Sequence, residues 1–229
     1  MSTVLGFDCS TPATATALVR QGEEPLRARH EPAPGGRPGH ASQLLPLCNA
    51  LLGRAGLRFA DVDRVAVGLG PGTFTGLRIA IATARGLAHA GGVQLVGVPT
   101  LEVLAAGANV SAALPVLDAR RGEAFAAGYM DGVLTVPAAA LRPEALAVRA
   151  REYATRHPGV LGVGEGAIAF RAVLERAGCT VPPDDEEVHR VDAAVLCALA
   201  RDRPIGPPEA VLPSYVRPPD AQPTDALRR

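Results

Sequence analysis

Lysine and tryptophan are missing from all 229 residues, so the 23 basic side chains are all arginines. That removes the P-loop amine that reaches a terminal phosphate, and any side-chain amine able to form a Schiff base. Cys9, Cys48, Cys179 and Cys197 show no Cys-x-x-Cys spacing and stand in apolar surroundings. They read as buried free thiols of a cytoplasmic protein. His30, His40, His89, His157 and His189 never fall at a metal-binding His-x-x-x-His spacing, and no serine sits in a Gly-x-Ser-x-Gly elbow. Formal net charge is zero, so no basic excess announces nucleic acid, although a local arginine patch is left open. No apolar run reaches membrane-spanning length, and the opening MSTVLGFDCS enters a strand without the charged region of a signal peptide.

The most informative stretch runs from Val65 to Glu102. A short apolar strand, Val65–Val67, leads into the turn Gly70, Pro71, Gly72, Thr73, Phe74, Thr75, Gly76. A helix is expected from about Leu77 to Ala90, closed by Gly91-Gly92, and a second strand from Val93 to Val98 completes a right-handed βαβ unit. The glycine spacing is one residue too long for a dinucleotide loop, Leu77 stands where a P-loop needs lysine, and Pro71 lacks an N–H. A tight turn allowing close approach of strand, helix and a partner's backbone is favoured over a nucleotide cradle. On the helix, Arg78, Arg85 and His89 share one stripe while Ile79, Ala80, Ile81, Ala82, Ala84, Leu87 and Ala88 fill the rest. A helix covering one sheet face needs a single apolar stripe. The surplus reads as an interface, unless the domain's own helices cover it, and Ala82, Gly86 and Ala90 permit a close neighbour.

Upstream, Val4–Asp8, Thr14–Arg20 and Leu26–Glu31 read as a strand meander whose first member ends in Asp8-Cys9-Ser10-Thr11. Actin-like and ribonuclease-H-like lobes begin this way, but Asp8 and Ser10 are equally good turn residues. His40 to Ala55 is a helix with Leu44, Leu47, Cys48, Leu51 and Leu52 on one side and Leu45 off the stripe. Pro46 has to lie within about the first turn or kink it. Thr100 is the expected N-cap of a helix through about Ala106. From about Ala108 the pattern repeats: strands at 115–119, 124–129 and 133–136, a helix from Pro143 to about His157, a strand into Gly164-Glu165-Gly166, and a helix from Ala167 to Ala177. The expected fold is α/β and two-lobed, with residues 1–108 and 109–229 as related lobes.

Asp118-Ala-Arg120-Arg121-Gly-Glu123 is the one dense polar constellation. It is as readily a grip for an anion or a partner's carboxylate as an exposed hairpin tip. Asp184–Glu187 reads as a solvated loop, and Tyr215, in a Pro-rich tail, as an aromatic docked onto something. No catalytic constellation, metal site or cofactor emerges from the residues, and a binding scaffold is favoured over an enzyme.

GPGTFTGLR (Gly70 to Arg78), HASQLLP (His40 to Pro46), DARRGE (Asp118 to Glu123) and PSYVR (Pro213 to Arg217) together resemble the TsaB/YeaZ family. The resemblance implies an actin-like (ASKHA) fold. It also implies a non-catalytic role in forming threonylcarbamoyladenosine at position 37 of tRNA, beside a TsaD-like catalytic subunit and a TsaE-like ATPase, with tRNA met only through the complex. In TsaD-like sequences a His-x-x-x-His follows the strand matching Val93–Val98; here Thr100 and Leu104 occupy those positions. The second-lobe strand and turn, Val160–Gly166, lack an Asp-Gly-Gly-Thr. The family pairs the helices matching His40–Ala55 and Leu77–Ala90 with their counterparts on a second subunit, as a homodimer when alone or with TsaD. The interface expected here comprises His40, Leu44, Leu45 and Leu51 with Arg78, Ile79, Ala82, Arg85 and His89. Arg78 and Arg85 would set register, and Leu44, Leu45 and Ile79 would anchor. The alternatives are a stand-alone ATP-dependent transferase or kinase, or a metalloprotease-like enzyme of the same superfamily.

Overall fold

The computed structural model describes residues 2–33 and 35–217. Five strands, β1 (Thr3–Asp8), β2 (Thr14–Arg20), β3 (Leu26–His30), β4 (Arg64–Gly68) and β5 (Gln94–Val98), form one sheet in the order β3-β2-β1-β4-β5. β1, β2 and β3 pair antiparallel, and β4 and β5 join parallel through α2 (Phe74–Gly91), as the apolar runs required. A second sheet holds β6 (Ala112–Arg120), β7 (Glu123–Met130), β8 (Val133–Leu141) and β9 (Leu161–Val163) in the order β8-β7-β6-β9. The two orders match strand for strand up to the position of β5. The architecture is two-lobed and actin-like.

Each sheet is covered on both faces over its central strands, while the edge strands β3 and β8 stay partly exposed. α1 (His40–Arg54), over β2 and β3, and α2, over β4 and β5, cover the outer face of the first sheet and bury Leu44, Leu51, Leu77 and Ala80. On its other face lies α7 (Ala193–Arg201), which packs on α3 (Thr100–Gly107), which in turn packs on β6 and β7. α4 (Pro143–Arg156), α5 (Glu165–Ala169) and α6 (Arg171–Arg176) close the outer face of the second sheet around Leu146, Tyr153 and Leu174. Fully burying one such leucine contributes roughly 1.5–3 kcal/mol. By packing, α7 belongs with the first sheet although it lies in the second half of the chain.

Several local expectations shift. α2 starts three residues before Leu77, because Thr73 takes the extended cap conformation and Phe74–Gly76 form the first turn. Pro46 sits in the second turn of α1, on an exposed position, and the helix carries on past it. The helix expected from Ala167 to Ala177 breaks at Phe170 into α5 and α6. All four thiols are buried and unpaired, and burial pushes Cys48 up to about 12 and Cys179 up to about 11.

Candidate docking face and motif cleft

α1 and α2 lie side by side on the first sheet and divide their residues by face. His40, Leu44 and Leu51 point inward and are buried, so they brace α1 from beneath rather than furnish its outer surface. This corrects the expectation that Leu44 is a surface anchor; the sheet beneath α1 has already claimed it. His40 pairs its Nδ1 with the Thr14 hydroxyl at 2.8 Å, and its Nε2 is buried without a partner. Burial lowers its pKa, with Asp8 opposing. The outer surface is made by Leu45, 46% exposed, with Arg78, Ala82, Gly86 and His89; Ile79 is half-buried at its edge. A Cβ added at Gly53 or Gly86 would meet nothing within 4 Å, so the fold does not require glycine at either position.

The glycine-rich turn closes over the end of β1. Thr73 N–H donates to Ser10 O at 2.8 Å, and a Cβ on Gly76 would stand 1.9 Å from Cys9 O, one on Gly72 2.4 Å from Ser10 O. These two glycines are needed for close approach of the chain to itself. Pro71 and Gly76 are buried, Gly70 packs on Leu77, and Phe74 and Thr75 are exposed. Beneath the turn, Asp8 is buried and its carboxylate is fully engaged. Oδ1 accepts from the Ser10 N–H at 2.7 Å and hydroxyl at 2.5 Å, and Oδ2 accepts from the Thr100 hydroxyl at 2.7 Å. The Thr100 oxygen also receives the Gly70 N–H at 3.1 Å. Thr100 is therefore not the N-cap of α3; Pro99 is, and the threonine hydroxyl donates to the buried carboxylate.

The tail, whose part sequence reasoning saw only at Tyr215, runs back along α2. Arg85 is half-buried and donates to the carbonyls of Pro208, Glu209 and Val211, so its guanidinium is committed within the chain rather than free to set register. Tyr215 stacks on Phe74 at 5.8 Å, and its hydroxyl meets Arg78 Nε at 3.2 Å while Arg78 lies 3.6 Å over the Phe74 ring. Ser214 N–H donates to Leu69 O, and Arg217 reaches Glu123 and the Ala119 carbonyl on the β6–β7 hairpin. Asp118 accepts from Arg120 twice, at 2.7 and 3.0 Å, so these two hairpin residues partner each other. Turn, hairpin and tail enclose a cleft of about 480 Å³ lined by Phe74, Phe125, Tyr215 and Arg120. Sequence reasoning also passed over Glu165, whose pKa is raised by burial and by Asp118. The one signal was an acid between two glycines.

Residues 35–165 match the family model described as TsaD, tRNA N6-adenosine threonylcarbamoyltransferase. A solved structure titled YeaZ from Pseudomonas aeruginosa superposes with a TM-score of 0.75 at 30% identity, covering 94% of this chain and 100% of that one. The chain belongs to the TsaB/YeaZ family. An uncharacterized protein of Mycobacterium tuberculosis is 34% identical over 97% of this chain and 95% of its own length. The Escherichia coli protein named tRNA threonylcarbamoyladenosine biosynthesis protein TsaB is 35% identical over 55% of this chain and 54% of that protein. In this TsaB/YeaZ chain Thr100 and Leu104 are both buried, and no group of three or more His, Cys, Asp or Glu side chains gathers among the described residues.

Proposed function

We propose that this chain is the non-catalytic scaffold of threonylcarbamoyladenosine synthesis on tRNA, docking a TsaD-like catalytic subunit through α1 and α2. The observation that carries the reading is the outer surface of those helices. Leu45, Ala82, Gly53 and Gly86 stand exposed on it, and the glycines serve no contact inside the molecule. A glycine inside a helix costs about 1 kcal/mol relative to alanine, so two left in open space fit a neighbour that approaches closely. Asp8, the acid the superfamily uses near its ligand, is consumed by Ser10 and Thr100, in keeping with a scaffold.

The same face pairs two copies when the partner is missing, a TsaE-like ATPase completes the assembly, and tRNA is met through the complex. The setting is the cytoplasm; no helix among the described residues is long and apolar enough to cross a membrane. Ala82→Glu places a charged, bulky side chain at the centre of α2's exposed stripe. Light scattering should find a folded monomer that no longer pairs. A variant that still pairs would show that α2 is not the contact. Calorimetry with ATP and Mg²⁺ on the chain alone should show no turnover; turnover would instead favour a stand-alone transferase.

A further inference from the structure

The 15 residues of α1 and the 18 of α2 contain Arg54, Arg78, Arg85 and His89 but none of the chain's 23 carboxylates. α4, the outer helix of the other lobe, mixes Glu144 and Glu152 with its arginines, as solvated helices ordinarily do through pairs three or four residues apart. Of the acids bordering the face, Glu23 and Glu24 line a pocket with Arg54 at the end of α1, Glu23 being paired with Arg20; Asp61 lies 3.9 Å from Arg58, and Glu209 belongs to the tail segment that holds Arg85. Among the described residues this face therefore carries cations with no carboxylate on either helix, and Leu45, Gly53, Ala82 and Gly86 stand exposed on it. Arg78 is exposed upon it. Its Nε is bound to Tyr215 and its plane rests on Phe74, which leaves the two terminal nitrogens without a partner among the described residues. A guanidinium held in this way is pre-set for a carboxylate.

A two-fold pair of identical chains sets the same patch against itself. Here cation would face cation, and such juxtaposition costs free energy whatever the apolar contact contributes. We infer that the α1–α2 face is built for a partner whose facing helices carry carboxylates. Self-pairing of this chain is then an electrostatically penalised competitor, a device that selects the correct partner by opposing the wrong one. The inference rests on reading this face as a subunit interface and states which chemistry fits it.

The test is sedimentation velocity on the full chain, alone and mixed with the threonylcarbamoyltransferase subunit of the same genome, from about 0.05 to about 0.5 M NaCl. This range takes the Debye length from above to well below about 10 Å. The mixed pair is expected to weaken about tenfold or more as salt rises, while self-pairing, the weaker of the two at low salt, tightens. Arg78→Glu, and at the far end of the helix His89→Glu, should each weaken the mixed pair about fivefold and tighten self-pairing. Self-pairing that loosens with salt, or a mixed pair indifferent to salt and to both variants, overturns the inference. Ala82→Trp adds bulk without charge and separates the two levels. If it spares both associations, the face is not an interface and the underlying reading fails. If it breaks both while the charge variants change nothing, only the carboxylate partner is refuted. Circular dichroism and melting establish that each variant is folded.

Discussion

His40 was expected on the outer surface and is found inside, bonded to Thr14, because the first residue of α1 tucks against β2. Its burial has a pH signature. The folded pKa lies below the unfolded value of about 6.5, so the unfolded chain binds the proton more readily. The associated stability is complete above pH 6.5 and is lost as pH falls through the window beneath it. The limiting slope is about 1.4 kcal/mol per pH unit for one proton. Melting temperature should drop as pH falls from about 6.5 to about 5.5, and His40→Gln should flatten the drop. Parallel curves for the two proteins would assign the loss to another group. Asp8 and Thr100 make a related point. Two residues that read as a turn former and a helix cap are instead the two ends of one buried hydrogen bond. A pairing separated by 92 positions leaves no trace in local sequence.

For α2, the helix and its glycine-rich entry were legible, since each is a matter of period and composition, whereas most of its large apolar residues are taken up by the chain itself, with Ile79 and Leu87 half-buried. The start was misplaced by three residues because the reading took Gly76 as turn. Gly76 is in fact the helical residue that lets α2 sit on the Cys9 carbonyl. The residues expected at an interface divide by exposure. Leu45, Arg78, Ala82 and His89 are outside, whereas Leu44 and Leu51 belong to the core and Arg85 to the tail. Which side of a surplus stripe the sheet takes depends on how α1 is rolled, and that is settled by tertiary packing. The two glycines of α2 divide this element's roles. Gly76→Ala should destabilise the fold, since its Cβ has no room. Gly86→Ala should raise the stability of the unpaired chain by about 0.5–1 kcal/mol and yet weaken pairing. Denaturant melts alongside light scattering would check both; a Gly86→Ala protein that pairs as well as the parent would argue against close helix approach there.

At the scale of the molecule, the duplication read from sequence corresponds to two sheets of the same strand order. What the sequence could not place is how the halves are tied. α7 returns to the first sheet, and the segment from Pro208 to Arg217 links α2 to the β6–β7 hairpin. Of the four motifs behind the family resemblance, three thus wall a single cleft, while the fourth lies on α1. The last of them, PSYVR, runs into residues 218–229, which lie outside the described part of the chain. The most direct test of the scaffold role is amide hydrogen exchange on the chain alone, dilute enough to be monomeric, and again bound to the TsaD-like subunit. Binding is expected to slow exchange in 40–54 and 74–91, with the tail at 208–215 following. Protection centred instead on 8–14 and 161–169, where Thr11, Ala13, Glu165 and Ile168 line a second pocket, with those two helices unchanged, would contradict it.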